Sequence, residues 1–162
     1  MNNQQIESTP NTIVKTMRTI YFGILAGVVF VTVFFYMQLN DQEFKINFKN
    51  NLFLLSIAAG VLAIFASNLI FKILQEKITQ KLDLKTKLGK LQSANLIRYA
   101  ILEVPVFLII FAFSPDKSFF IIPTLIILYL LRIMPNSEKI EEDLKLTSEQ
   151  KIQWNKGDEI IR

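Results

Sequence analysis

The sequence predicts an all-α, polytopic membrane protein with four transmembrane helices. Hydrophobic residues make up 51% of the 162-residue chain, and they gather into four blocks instead of recurring at a helix or strand period. A helix of about 20 apolar residues crosses the roughly 30 Å hydrocarbon core of a bilayer. The chain contains no Cys and no His, which removes thiolate nucleophiles and imidazole metal sites. We therefore expect no enzymatic activity, no metal and no cofactor.

The apolar blocks set the domain boundaries. The predicted spans are 20–39, 52–71, 97–113 and 119–134, within a transmembrane domain of residues 20–134. The remaining segments are an N-terminal tail, a basic arm between spans two and three, and a charged C-terminal tail, at 1–19, 72–96 and 135–162. The polar start of the N-terminal tail predicts a flexible segment. The first block has full membrane length and no small-residue cleavage site after it, so we expect no cleaved signal peptide.

Small residues in the first two spans predict close helix contacts. Gly23 and Gly27 form a GxxxG pair on one face of span one, which lets a second backbone approach. Span two carries a stripe of small residues spaced three and four apart: Ser56, Ala59, Gly60, Ala63 and Ser67. We expect these faces to pack against other helices of the chain, of a second copy, or of another membrane protein.

The basic arm predicts an amphipathic segment. Apolar residues alternate there with lysines, and we expect the segment to lie on the membrane with its lysines at anionic lipid headgroups. The lysines in question are Lys81, Lys85, Lys87 and Lys90. The alternative is a solvated helical hairpin. No aromatic residues are interleaved with the lysines, so we expect no nucleic-acid binding.

Span three contains the one carboxylate set inside an apolar block, Glu103, two residues before Pro105. An ionisable residue in such a block is a candidate functional site. Counted from the membrane boundary, Asn68 and Tyr129 lie at a similar depth, roughly 5 to 8 Å, and Tyr99 shares the helix face of Glu103. We therefore expect Glu103, Asn68, Tyr129 and Tyr99 to form a buried polar cluster. Glu103 would serve there as a hydrogen-bonded group that holds the helices together, or as a binding site for a proton or cation.

Turn and cap residues define the last third of the chain. The sequence Ser114-Pro115-Asp116-Lys117 predicts a tight turn, with Ser118 as the N-cap of span four. Ser137 and Ser148 are candidate N-caps of two short, mainly exposed helices in the C-terminal tail. Trp154, the single Trp, is expected to anchor this tail at the membrane interface.

The distribution of positive charge predicts the topology. With four spans, 15 of the 18 Lys and Arg residues fall on one side of the membrane and three on the other. Positive charge is retained in the cytoplasm, so both termini and the basic arm should be cytoplasmic. An offset of 77 residues aligns span one with span three and places Ala26 opposite Glu103. The chain is therefore a candidate for two parallel hairpin repeats.

The run from Arg98 to Pro105 resembles a span that begins with a variant of RxALLEGPA in small, uncharacterised four-helix bacterial membrane proteins. The shared residues are Arg98, Ala100, Ile101, Leu102, Glu103 and Pro105, with Val104 in place of the expected Gly. This resemblance covers the arm and span three only. It implies a bacterial inner-membrane protein and carries no known activity.

Two functional hypotheses follow from the sequence. The first is a non-enzymatic scaffold or accessory membrane protein. The second is a small transporter or proton-translocating protein that uses Glu103. The chain is similar in size to the duplicated proteolipid subunit of rotary ATPases, but Glu103 lies in an odd-numbered span and five Gly are few for such a ring.

Overall fold

The computed structural model describes residues 9–39, 44–112 and 116–158, and every regular element within them is helical. The predicted turn residues Ser114 and Pro115 lie outside this part of the chain, as do residues 1–8 and 159–162. The elements in order are α1 (Pro10–Gln38), α2 (Asn51–Glu76), α3 (Leu84–Ala112), a 3-10 turn (Lys117–Phe120), α4 (Ile121–Arg132), α5 (Ser137–Leu144) and α6 (Ser148–Asn155).

Helices α1, α2 and α3 are long and apolar enough to cross a membrane. The 3-10 turn with α4 passes the same test together with α5, from which it is bent by 79°. The predicted all-α class is thus confirmed for the described residues, three to four of whose helices are candidate membrane spans by length and composition. Pro123 lies in the first turn of α4, where its missing N–H costs little.

Helix α1 begins earlier than the sequence predicts. Thr9 caps it by accepting a hydrogen bond from the Thr12 N–H at 3.2 Å, and Pro10 occupies the first turn. Pro is favoured there because its fixed φ suits a helix start. The prediction of a flexible segment over residues 1–12 is wrong for Pro10, Asn11 and Thr12, which form the first turn of α1.

The basic arm forms the closed end of a helical hairpin. Helix α2 continues to Glu76 and α3 starts at Leu84, with Asp83 accepting from the Thr86 N–H at 2.9 Å. The arm therefore contains no separate amphipathic helix between α2 and α3, contrary to the first expectation. It does form the turn of a hairpin, but the alternative of a solvated hairpin is also wrong, because Leu84, Leu88 and Leu91 are buried.

Two apolar clusters hold the helices together. The bundle core lies among the apolar parts of α1 to α4 and includes Tyr21, Leu102, Val106, Ile109, Ile126 and Leu130. The cap core joins the start of α1, the closed end of the hairpin and the C-terminal tail; it includes Met17, Leu84, Leu88, Leu91, Ile140, Leu144 and Trp154. We call the elements around this second core the cap.

The tail helices are capped one residue earlier than the sequence predicts. Asn136 caps α5, and Thr147 caps α6 through a reciprocal capping box with Gln150. Likewise Asp116, rather than Ser118, caps the 3-10 turn. The expected interfacial role of Trp154 is also wrong, since the ring is only 6% exposed and packs in the cap core.

The three glycines predicted to pack helices together differ in their surroundings. Gly60 lies at a helix contact, whereas Gly23 and Gly27 do not. A Cβ at Gly60 would lie 2.5 Å from Cγ2 of Ile122, so this glycine lets α2 and α4 approach closely. No described heavy atom lies within 4 Å of a Cβ at Gly23 or Gly27. The GxxxG pair therefore makes no close helix contact within the described chain.

The start of α1 is clasped to the end of the tail. The Asn11 N–H donates to the Gly157 carbonyl at 3.1 Å, and Asn11 Nδ2 donates to Asp158 Oδ1 at 2.9 Å. Gly157 has a φ of +47°, and a Cβ there would lie 2.7 Å from Asn11 Nδ2. Both facts favour Gly at this position.

Candidate functional site

A three-residue polar cluster joins α2, α3 and α4. Arg98 Nη2 donates to Asn68 Oδ1 at 2.6 Å and to the Tyr129 hydroxyl at 3.0 Å. The Tyr129 hydroxyl in turn donates to Asn68 Oδ1 at 2.6 Å. Asn68 and Tyr129 thus meet, as their similar depth suggested. Their shared partner is the guanidinium of Arg98.

Glu103 lies outside this cluster. Five residues from Arg98 correspond to a rotation of about 140° around a helix, so the two side chains leave α3 in different directions. Glu103 is partly exposed, and it forms no hydrogen bond or ion pair with any residue in the described ranges. The expectation that it joins Asn68 and Tyr129 is wrong, because Arg98 has the longer side chain and faces them.

Tyr99 belongs to a different contact. Its ring packs edge-to-face on Tyr21 of α1, with the ring centroids 5.5 Å apart. The Tyr21 hydroxyl donates to the Leu130 carbonyl at 2.9 Å, whereas the buried Tyr99 hydroxyl has no partner within the described residues. Tyr99 therefore faces α1, away from the Arg98 cluster.

The Arg98 cluster forms the floor of a polar cleft of about 510 Å³. The cleft lies among the ends of α2, α3 and α4 and is covered by α5. Its charged lining residues are Arg98, Arg132, Lys139, Glu142 and Asp143. Its other lining residues are Asn68, Phe71, Asn95, Tyr129, Ile133, Pro135 and Ile140. The cleft thus presents both signs of charge beside an aromatic and aliphatic wall.

Arg98 packs against an aromatic ring in this cleft. Its guanidinium carbon lies 4.7 Å from the centroid of the Phe71 ring, which is a cation–π contact. Its Nε is buried without a hydrogen-bond partner in the described part of the chain and is closed off from solvent. Nη1, in contrast, is not buried and forms no hydrogen bond with a described residue, so it is the donor of this guanidinium that is available to a ligand or to water.

Hydrogen bonds from three side chains hold α5 and the bend before it over the cleft. Lys139 Nζ donates to the Arg132 carbonyl at 2.9 Å, and Gln75 Nε2 donates to Asp143 Oδ1 at 2.8 Å. Arg18 Nε donates to the Pro135 carbonyl at 3.2 Å, which ties α1 to the bend. Burial raises the pKa of the Asp143 carboxyl, and the bond from Gln75 and the nearby Arg98 charge act against this rise.

Lys87 is a buried cation in the cap. Its side chain is 0% exposed, and Nζ donates to Gln150 Oε1 at 2.7 Å and to the Lys145 carbonyl at 3.5 Å. Gln150 Nε2 donates to the Leu82 carbonyl at 2.8 Å, so Gln150 connects α6 to the first turn of α3 and to the loop before it. Burial lowers the pKa of Lys87. The headgroup role expected for Lys87 is therefore wrong, whereas Lys81, Lys85 and Lys90 are exposed and their role stays a prediction.

The spacing of residues in α3 carries a signal for this burial. Lys87 lies three residues after Leu84 and four before Leu91, on the apolar face of the helix. A lysine on the apolar face of a helix either buries its amine or extends the amine along the helix toward solvent. Lys85 also lies three residues from two leucines, Leu82 and Leu88, yet it is exposed, so this spacing indicates burial of Lys87 without distinguishing it from Lys85.

Comparison with protein-family models, curated proteins and solved structures finds no match for the chain.

Proposed function

We propose that the protein is a non-enzymatic, multi-pass accessory or scaffold protein of a bacterial inner membrane, and that its cap is the surface that binds partners. The observation that carries this proposal is the folded cap itself. A charged tail is docked on the membrane hairpin through a buried apolar core and the Lys87–Gln150 hydrogen bond. A tail without a binding role would not need such a fixed attachment.

The clasp between Asn11 and Asp158 supports four membrane crossings. Two side chains in contact lie on the same side of a bilayer, so the chain between them crosses an even number of times. If α1, α2 and α3 all cross, then the 3-10 turn and α4 must supply the fourth crossing. This segment is short for a bilayer, and Lys117 and Arg132 at its ends are residues that reach from a short span to the headgroups.

The positive charges support a cytoplasmic cap. The side that carries the cap receives 15 of the 18 Lys and Arg residues in the four-span topology. Reporter fusions after Gln92 and Lys156 are expected to be cytoplasmic, and fusions after Gln38 and Lys117 non-cytoplasmic. A cytoplasmic reporter at Gln38, or opposite locations for Gln92 and Lys156, would exclude this topology.

The partner-binding role is tested by crosslinking in the native membrane. Ile152 of α6 is 60% exposed and carries a photo-crosslinker without disturbing the cap core. Phe65 of α2, 66% exposed on the bundle, is the matched position facing lipid. We expect a discrete protein adduct at Ile152 and only lipid adducts at Phe65. Identical products at the two positions would contradict a binding surface on the cap.

A transporter that uses Glu103 is the second candidate, favoured by the partly exposed carboxylate without a partner in the described ranges. The bundle core argues against a continuous path, because Leu102, Val106, Ile109 and Ile126 are 0% exposed. A proton or cation flux in reconstituted vesicles that Glu103→Gln abolishes would favour this candidate over the scaffold.

A further inference from the structure

The polar cleft lies at the level where lipid headgroups meet the protein. Phe71, Arg98 and Arg132 mark the ends of the apolar stretches of α2, α3 and α4, and all three line the cleft. Helix α5 turns by 79° from the direction of α4 and runs across the ends of the bundle. With α4 crossing the membrane, α5 lies along its surface and the cleft opens beside the headgroup layer.

The positive side chains of the cleft fit a phosphate. Arg98 Nη1 is not buried and has no hydrogen-bond partner in the described residues, and Arg132 is an exposed guanidinium in the same lining. Arginine pairs with phosphate through parallel N–H···O bonds. Lys139 is already engaged, since its Nζ donates to the carbonyls of Arg132 and Met134. The two arginines are thus the groups that remain for an anion.

The negative side chains of the cleft fit an ammonium group. Glu142 and Asp143 line the cleft together with the two arginines. Gln75 holds Asp143 through Oδ1, which leaves Oδ2 as the second acceptor oxygen of that carboxylate. An anionic headgroup would bring a further negative charge toward these two carboxylates. A headgroup with one phosphate and one primary amine would pair its phosphate with the two arginines and its amine with the two carboxylates.

From this arrangement we propose that the cleft binds the phosphoethanolamine headgroup of a zwitterionic phospholipid, with its phosphate at Arg98 and Arg132 and its amine at Glu142 and Asp143. The cleft volume of about 510 Å³ is within the usual range for a small-ligand site. A choline headgroup has no N–H to donate and is expected to bind less well. This inference rests on the membrane placement in the proposed function.

The test measures lipid binding to the full-length protein in detergent by native mass spectrometry. The probes are phosphatidylethanolamine, phosphatidylglycerol and phosphatidylcholine with identical acyl chains. We expect phosphatidylethanolamine to bind about tenfold more tightly than either of the others, since a hydrogen bond to a charged group contributes about that factor. Equal affinities for the three lipids would overturn the proposal.

Single substitutions test separately the arginines proposed to bind the phosphate and the carboxylates proposed to bind the amine. Arg132→Gln is expected to weaken all three lipids by about three- to tenfold, and Glu142→Gln to remove the preference for ethanolamine. Lys145→Gln and Glu149→Gln are matched controls on exposed positions outside the cleft lining. Unchanged melting temperatures for all four variants would exclude unfolding as the cause. A preference that survives both cleft variants would place the lipid elsewhere and overturn the proposal.

Two further comparisons complete the test. One distinguishes a lipid headgroup from a free phosphate, and the other distinguishes failure of this inference from failure of the proposed function. Inorganic phosphate and glycerophosphoethanolamine test whether the acyl chains are needed, and competition by either at the concentration of the lipid would overturn the lipid assignment. Failure of lipid selectivity leaves the reporter fusions and the Ile152 crosslinks unaffected. Failure of the fusions, in contrast, removes the membrane placement on which this inference rests.

Discussion

Replacement of Gln150 by Leu should release the tail from the hairpin. Gln150 Oε1 accepts from the buried Lys87 Nζ at 2.7 Å, and Gln150 Nε2 donates to the Leu82 carbonyl at 2.8 Å. A hydrogen bond to a charged group contributes about 1.5 to 3 kcal/mol and a neutral one about 1 kcal/mol. The variant also leaves Lys87 with only the 3.5 Å contact to the Lys145 carbonyl. We therefore expect Gln150→Leu to destabilise the cap by about 3 kcal/mol.

The opposite replacement, Lys87→Met, should have a small effect. It removes the buried charge together with its need for an acceptor, and methionine fills a similar volume. Gln150 Oε1 keeps the Thr147 N–H as a donor at 3.3 Å. We expect a change within about 1 kcal/mol. The double variant should then be more stable than Gln150→Leu alone, because no unpaired cation remains in the cap.

Thiol labelling measures the opening of the cap. The chain contains no Cys, so a single Leu146→Cys substitution at a position 8% exposed reports on the cap core. A loss of about 3 kcal/mol corresponds to a labelling rate about a hundredfold higher in Gln150→Leu. Gln153→Leu, an exposed glutamine on the same helix, is the control. Equal rates for Gln150→Leu and Gln153→Leu, or additive effects in the double variant, would refute the reasoning.

The pH dependence of this opening gives an independent check. Burial lowers the pKa of Lys87 in the folded cap, so between this lowered pKa and the ordinary pKa the unfolded state binds more protons. Cap stability should therefore rise with pH across this window. The rise should disappear in Lys87→Met, as measured by the same labelling rates with a correction for thiolate formation.

Three further predictions concern the bundle. Gly60→Ala should be about 1 to 3 kcal/mol less stable than Gly23→Ala in thermal unfolding in nanodiscs, because only a Cβ at Gly60 meets Ile122; equal stabilities would contradict the close contact of α2 and α4. Glu103→Leu should leave unfolding unchanged within about 0.5 kcal/mol, since it orphans no partner among the described residues; a large loss would indicate a bound group at the carboxylate. Asn68→Ala and Tyr129→Phe should show a coupling of about 0.6 kcal/mol in a double-mutant cycle, which additive effects would exclude.

The positions of the long helices could be predicted from the sequence because the length of an apolar block is a local property of the chain. Block length located the apolar parts of α1 to α3, and the depth count brought Asn68 and Tyr129 together. The third member of the cluster could not be found in this way. Arg98 lies at the start of the apolar block of span three, and its long side chain reaches from there to the two polar groups. Whether the Arg98 side chain reaches the two polar groups depends on the directions of three helices, and residue spacing within one helix does not define those directions.

The cap was missed for a related reason. Its core combines residues from the start of α1, the hairpin and the tail, for example Met17, Leu88 and Trp154. Each of these segments is too polar to be recognised as part of a core when taken alone. Their apolar side chains form a continuous cluster only after the tail folds back over the hairpin, which is information about long-range contacts.

The clasp of Asn11 to Gly157 and Asp158 has a consequence for biosynthesis. The start of α1 is synthesised before Asp158, its partner in the clasp, which lies 147 residues later in the chain. The part of the cap core around Val14 and Met17 that the tail covers therefore stays open until the tail has been made. A chain cut short before Trp154 would keep this part of the core exposed and would be a target for membrane proteases.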